Sequence, residues 1–312
     1  MGDPIYRAAS GDGSRWVYPV WDRNGVVGDN DWHLRGVGHG NNTFVVAGGS
    51  ALGRIFSTTN GRDWVEYSDN RGWFGDAEYG QGYYFAVGGN GRWVYSTDAE
   101  RWTIPGLPTF PAHETGTSGN FRAVAYGNNR FVAVGNTYGN NGLIRSFVVD
   151  PLQPSRPIQA QIALTDSRTR LDAVVFAENR FVAVGEGGRI ALSTDSGTTW
   201  ANQNLPEGGY LGSIAHGNST FVVISNGRGY VHISRNGGQS WSTHEVNRSL
   251  ALAGSGITFG DGVFIATFYH YGTSTMRVYR SSDGMTWQEI SANAGAPINL
   301  LSFGSVVSDL QY

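Results

Sequence analysis

Catalysis and metal binding need particular side chains at particular spacings, and this chain offers few such sets. The carboxylates that fall on apolar, strand-like stretches are Asp76, Glu78 and Asp172. Glycosidic bond hydrolysis needs two carboxylates facing each other across a cleft, and these three do not recur as such a pair. The seven histidines are scattered, with no H-x-x-x-H or H-E-x-x-H spacing, so no zinc site is expected. Asp22, Asn24, Asp29 and Asp31 make the loop 22–31 rich in oxygen ligands of the kind calcium takes, but their spacing matches no EF-hand. A phosphate-binding loop would need a lysine. All 22 basic residues are arginine, so there is none to complete it. The expectation is a protein without catalytic residues, metal or cofactor.

Composition narrows the classes further. A net charge of −3 gives no basic field for nucleic acid or an anionic membrane. The absence of cysteine excludes disulfides and thiolate metal sites. No apolar run approaches the roughly 20 residues that span a bilayer, so membrane insertion is not expected. Met1–Ser10 lacks the charged start and apolar run of a signal peptide. Arginine in place of lysine reads first as the codon bias of a GC-rich genome, and second as selection for planar, forked donors at contacts.

What positions these side chains is a repeat. LRGVGHGNNTFVVAG from Leu34, FGDAEYGQGYYFAVG from Phe74 and FRAVAYGNNRFVAVG from Phe121 are copies of one unit. LDAVVFAENRFVAVG from Leu171, LGSIAHGNSTFVVIS from Leu211 and GSGITFGDGVFIATF from Gly254 continue it, and INLLSF from Ile298 begins a seventh. An aromatic or histidine precedes each turn: His39, Tyr79, Tyr126, Phe176, His216, Phe259 and Phe303. His39 and His216 share a column with tyrosine and phenylalanine, which marks them as packing residues. Each unit reads as an inner strand, a tight hairpin at GNN, GQG or GDG, a second apolar strand, a third, and a fourth opened by tryptophan. Four antiparallel strands per 40 to 50 residues is the blade of a β-propeller. Joining the chain ends places His39 one more period after Phe303, as a closed ring requires. The expected fold is all-β: a seven-bladed propeller of four-stranded antiparallel blades forming one domain over residues 1–312. Residues 1–33 and 298–312 are expected to share the seventh blade.

The turn before the fourth strand is itself a motif. It reads STDAERW at Ser96–Trp102, STDSGTTW at Ser193–Trp200 and SSDGMTW at Ser281–Trp287, with variants ending at Trp64 and Trp241. These turns resemble the Asp-box, or bacterial neuraminidase repeat, and the chain resembles a non-catalytic member of that propeller family. The resemblance implies structural roles for Asp98, Asp195 and Asp283 and for Trp64, Trp102, Trp200, Trp241 and Trp287, on the rim away from the ligand. A sialidase would also carry an arginine–isoleucine–proline motif near its start. Tyr6-Arg7-Ala8-Ala9 lacks it, and sialidase-like hydrolysis ranks last. The third repeat replaces the box with VVDPLQPSRP after Ser146.

In such a ring, the loops from second to third strand and from fourth strand to the next blade share one face, and loops carry most binding. Trp73, His113, Tyr138, Tyr210, Tyr269, His270 and Tyr271 fall on them. Arg54, Arg92, Arg189 and Arg277 recur at the start of the third strand, as a partial circle suited to anionic groups. Insertions at 101–120 and 136–170 break the repeat and mark a place for docking another subunit. The function expected is recognition or assembly within a larger surface structure: a phage tail, a virion or a secreted fibre, hence extracellular or on the virion surface. The alternative is a lectin-like glycan binder. Partners are another protein of the assembly or a surface glycan.

Overall fold

The computed structural model describes residues 33–61, 63–105, 119–150 and 158–294. The first blade is β1 (Leu34–Gly40), β2 (Thr43–Gly49), β3 (Gly53–Thr58) and β4 (Val65–Asp69). The second holds β5 (Phe74–Gly80), β6 (Tyr83–Gly88) and β7 (Trp93–Ser96). The third is β8 (Gly119–Gly127), β9 (Arg130–Thr137), β10 (Asn141–Val149) and β11 (Ile158–Thr169). The fourth is β12 (Leu171–Ala177), β13 (Arg180–Gly185), β14 (Arg189–Ser193) and β15 (Ala201–Asn204). The fifth is β16 (Leu211–Gly217), β17 (Thr220–Ser225), β18 (Tyr230–Ser234) and β19 (Ser242–Glu245). The sixth is β20 (Leu252–Gly260), β21 (Val263–His270), β22 (Thr275–Ser281) and β23 (Gln288–Ala294). Each sheet is an antiparallel meander in chain order.

The first two strands of each blade meet in a two-residue hairpin with both central residues left-handed, such as Asn41 and Asn42 (φ 45° and 58°). This geometry matches strand twist and favours Asn and Gly. The second strands are β-branched and aromatic and are buried on both faces, because a sheet lies on either side. The core therefore sits between blades. Between the second and third, Phe85 stacks on Phe131 at 4.6 Å, with Trp93 and Phe147 closing the cluster.

The first strands of successive blades lie side by side, β1 against β5, β5 against β8, and on through β12, β16 and β20. The aromatic column locks this arc. Each member among the described residues packs tilted against a ring of its own hairpin, from His39 on Phe44 at 4.4 Å to Tyr126 on Phe131 at 4.8 Å, and His216 does so on Phe221 at 4.5 Å. The rings of Tyr79, Tyr126, Phe176 and Phe259 also cover the glycine that ends the preceding blade's first strand. A Cβ at Gly40, Gly80, Gly127 or Gly217 would sit 2.1 Å from a ring carbon.

One expectation fails locally. Among the described residues the second blade shows three strands, with a bridge between Tyr95 and Thr103 where the fourth would begin. Pro105, two residues on, has no N–H to extend the ladder. The proposed halves of a seventh blade lie outside the described residues apart from His33, as do His113 and the loop 22–31. Antiparallel order puts the β1–β2-type hairpins and the turns before the fourth strands on one rim, here the box rim. The second-to-third and inter-blade connections form the loop rim.

Candidate functional site

In all six blades the first strand carries a β-bulge near its start. Register against the second strand shifts between Leu34 and Gly36, Phe74 and Asp76, Phe121 and Ala123, Leu171 and Ala173, Leu211 and Ser213, and Gly254 and Gly256. The extra residues are Arg35, Gly75, Arg122, Asp172, Gly212 and Ser255. A bulge re-aims a side chain out of the ladder, here at the loop-rim end of the inner strands. Sequence reasoning missed this set. Its signal is the second column of the aligned repeats, which varies among R, G, D and S inside an otherwise apolar strand.

The re-aimed side chains form a connected surface. The Arg35 guanidinium lies 4.8 Å from the Trp73 ring centroid. Arg122 Nε donates to Asn136 Oδ1 at 3.1 Å and lies 3.6 Å from Asp172 Oδ1. Arg170 Nε donates to Asp172 Oδ2 at 3.2 Å, lies 4.0 Å from Glu186 Oε2, and its guanidinium sits 4.9 Å over Tyr210. Desolvation raises the Asp172 pKa against the opposing pull of Tyr210, Arg170 and Arg122. Desolvation and the neighbouring Asp172 raise the Tyr210 phenol. Asp172 thus accepts from Arg170 and faces Arg122, with its side chain 6% exposed. What the surface offers is planar cations and aromatic rings.

Asp76 and Glu78, two residues apart on β5, face the wall between inner strands. Asp76 accepts from its neighbour's amide, Ala77 N at 2.9 Å, and across the blade boundary from Val124 N at 3.0 Å. Glu78 accepts from Tyr79 N at 2.9 Å. Desolvation nevertheless pushes Asp76 up to about 8, helped by the charge of Glu78, and Glu78 up to about 7. Ser213, in the same column as Asp76, makes the same inter-blade contact to Ile257 N at 3.3 Å. The column is a blade-to-blade tie. Among the described residues no group of three or more His, Cys, Asp or Glu could hold a metal ion, and no helix is long and apolar enough to cross a membrane.

The recurring arginines do not form an open cationic circle. Arg54 is 5% exposed and pairs with Glu66. Arg189 is 3% exposed and donates to Thr169 O at 2.7 Å and Asn202 Oδ1 at 3.1 Å. Arg277 lies 2.9 Å from both oxygens of Glu289. Each thus clamps its strand to the fourth strand of the same blade, two positions along from its ladder partner or nearly so. Arg92, in the blade that shows no full fourth strand among the described residues, pairs instead with Asp69 and the Gly72 carbonyl and packs 4.0 Å from the Phe74 centroid. Burial lowers its pKa, against the pull of Asp69.

The loop-rim aromatics divide. Trp73 and Tyr210 belong to the connected surface. Tyr138 is exposed and its hydroxyl donates to Asn90 Oδ1 of the second blade at 2.7 Å. Tyr269 and Tyr271 meet edge-to-face at 5.3 Å, with Tyr271 exposed. His270 is buried and its Nδ1 is 2.7 Å from Thr273 Oγ1.

On the box rim, the recurring turn groups bond to their own turn. Asp195 accepts from Ser193 Oγ at 2.8 Å, Thr199 N at 2.9 Å and Thr199 Oγ1 at 2.6 Å, and the Thr199 bonds above all hold its pKa near 2. Asp98 accepts from Arg101 N and Glu100 N, and Asp283 from Met285 N and Thr286 N. Trp102, Trp200, Trp241 and Trp287 each donate Nε1 to the carbonyl three residues earlier. Asn236 and Asn60 fill the aspartate's place in the variants. In the variant ending at half-buried Trp64 the hydroxyl is that of Thr58 rather than Ser57, one residue later than the sequence frame suggests.

No family model matches the chain, and no curated protein does. Solved structures do. U3-55K covers 87% of this chain and 85% of its own, with a TM-score of 0.62 at 9% identity. The WD40 repeats of RRP9 cover 87% and 84%, with a TM-score of 0.61 at 10% identity. YCF48 bound to a D1 peptide covers 81% and 79%, with a TM-score of 0.55 at 18% identity. At these identities the likeness is one of fold: an all-β, propeller-like architecture.

Proposed function

We propose that this chain is a seven-bladed Asp-box propeller, its last blade shared by residues 1–33 and 298–312. It acts as a non-catalytic recognition and assembly module of a larger surface structure such as a phage tail, virion or secreted fibre, outside the cell or on the virion. Its partner is another protein of that assembly, engaged at the loop-rim ends of the inner strands. The observation carrying this reading is the bulge set, which gathers Arg35 over Trp73, and Arg122, Arg170 and Tyr210 around Asp172, at one rim. Arginine and large aromatics dominate the energetics of protein interfaces. A propeller of similar fold, YCF48, has been seen with a peptide bound. The alternative, a glycan-binding propeller, draws on exposed Tyr138 and Tyr271, the latter edge-to-face with half-buried Tyr269, since aromatic rings suit sugar faces.

The test is photo-crosslinking from single sites in the native assembly. A crosslinker at Trp73 or Tyr138 should capture a partner, and one at Thr198 on the box rim should not. Capture from the box rim alone, or from neither, overturns the reading. Glycan-array binding lost in Tyr269→Ala and Tyr271→Ala would favour the lectin instead.

A further inference from the structure

On the loop rim between the fifth and sixth blades lies an open groove of about 470 Å³, walled by Arg228, Tyr230, Glu245, Arg248, Leu250 and Tyr271. The fifth blade departs from its neighbours here. The slot that Arg54, Arg189 and Arg277 fill at the start of the third strand is taken by Tyr230, opposite Glu245. The blade's cations stand in the loops instead. Arg228 is exposed and has a left-handed backbone (φ 59°), between Gly227 (φ 144°) and Gly229 (φ 60°). Equivalent loops put Asn90, Asn140 or Ser274 at left-handed positions. A long side chain is disfavoured there, and asparagine largely avoids the penalty. Among the described residues no side chain pairs with Arg228. Arg248 is 90% exposed and touches Glu245 only through Nε, at 3.3 Å. The backbone beneath is braced: Val246 N donates to Gly229 O and Tyr271 N to Ala251 O, both at 3.0 Å.

We infer that this groove docks an extended acidic peptide segment of a partner protein. Its carboxylates pair with Arg228 and Arg248, and an apolar side chain between them packs on Leu250 and Tyr271. Two guanidiniums against the single carboxylate of Glu245 leave the groove net positive, in a chain whose total charge is negative. Forked donors select carboxylates, and a neutral glycan would leave both unused. An arginine kept in a strained backbone position is accounted for by what its head group reaches. The inference rests on the loop rim being the partner face but uses none of the inner-strand residues.

The probe is a fluorescein-labelled Glu-Asp-Leu-Glu-Asp-Leu peptide titrated against the full chain, read by anisotropy. Binding should weaken with added salt. Arg228→Asn and Arg248→Gln should each cut affinity about three- to fivefold, and together about tenfold or more. Arg228→Asn keeps the left-handed preference, so its thermal midpoint should not fall. Trp73→Ala should leave peptide binding unchanged, so loss of the inner-strand reading leaves the groove standing. No binding, equal binding of a Lys-for-Glu/Asp peptide, indifference to both arginine variants, or preference for a heparin oligosaccharide over the peptide overturns the proposal.

Discussion

The two rims of this molecule are built from the same repeat and end in opposite states. On the box rim, hydroxyl, carboxylate and indole of the turns at Asp98, Asp195 and Asp283 satisfy the turn's own backbone, so these carboxylates are spent locally. On the loop rim the repeat breaks down into individual residues. Bulges turn out Arg35, Arg122 and Asp172, and Arg228 stands unpaired among the described residues in a left-handed turn. Regular local chemistry consumes donors and acceptors, whereas irregular positions leave them for other molecules. The loop rim is not uniformly open, however, since its recurring arginines are folded back on fourth-strand partners.

The largest effect expected from breaking this contrast is at a closed arginine. Arg189→Ala leaves the Thr169 carbonyl and Asn202 without their buried donor, and should cost about 2–3 kcal/mol in denaturant unfolding. If it costs nothing, the arginine column is not a clamp. Next is the pH dependence of the inter-blade wall. Asp76 and Glu78 hold their protons to about 8 and 7 when folded, whereas the unfolded chain releases them near 4. The folded state therefore binds more protons over that window, and stability should fall as pH rises from about 4 to 8. Asp98, Asp195 and Asp283, whose pKa values are lowered, contribute the opposite slope only below about 4. Denaturant midpoints at pH 5, 7 and 9 measure the slope, and Asp76→Asn should flatten it; a rising midpoint would contradict the burial argument.

A smaller loss follows on the box rim. Asp195→Ala frees the Thr198 and Thr199 amides to exposed solvent, so about 1 kcal/mol is expected, with no change in partner capture. The smallest effect is at the open arginine: Arg228→Asn should leave stability unchanged or raise it by a few tenths of a kcal/mol. Measured side by side, Arg189→Ala and Arg228→Asn sort structural arginine from recognition arginine.

Much of the fold was legible because its signals are local. GNN and GDG specify left-handed hairpins, alternating β-branched runs specify strands, and S-x-D followed by W after three or four intervening residues specifies a turn that bonds to itself. Tyr79, Tyr126 and Phe176 recur at the interval a blade requires, and they are found packed on the neighbouring blade's glycine. The absence of a fourth strand among the second blade's described residues was less legible, because tryptophan announces the turn but cannot supply the strand that Pro105 stops. The site was hardest to read. Arg54 and Arg189 look like free strand-end cations until the residues two rungs along the neighbouring strand are known. The bulges depend on a register that no single strand displays.

By itself the sequence determined the period, the strand order and the turns before the fourth strands, since each rests on residues a few positions apart. Only the tertiary structure decided which arginines are absorbed and which reach solvent, and that Asp76 is held between two blades while Asp172 is held by two arginines. Those outcomes depend on groups brought together from distant repeats, where burial and the nearest opposite charge set the energy, and neither is written in any one segment.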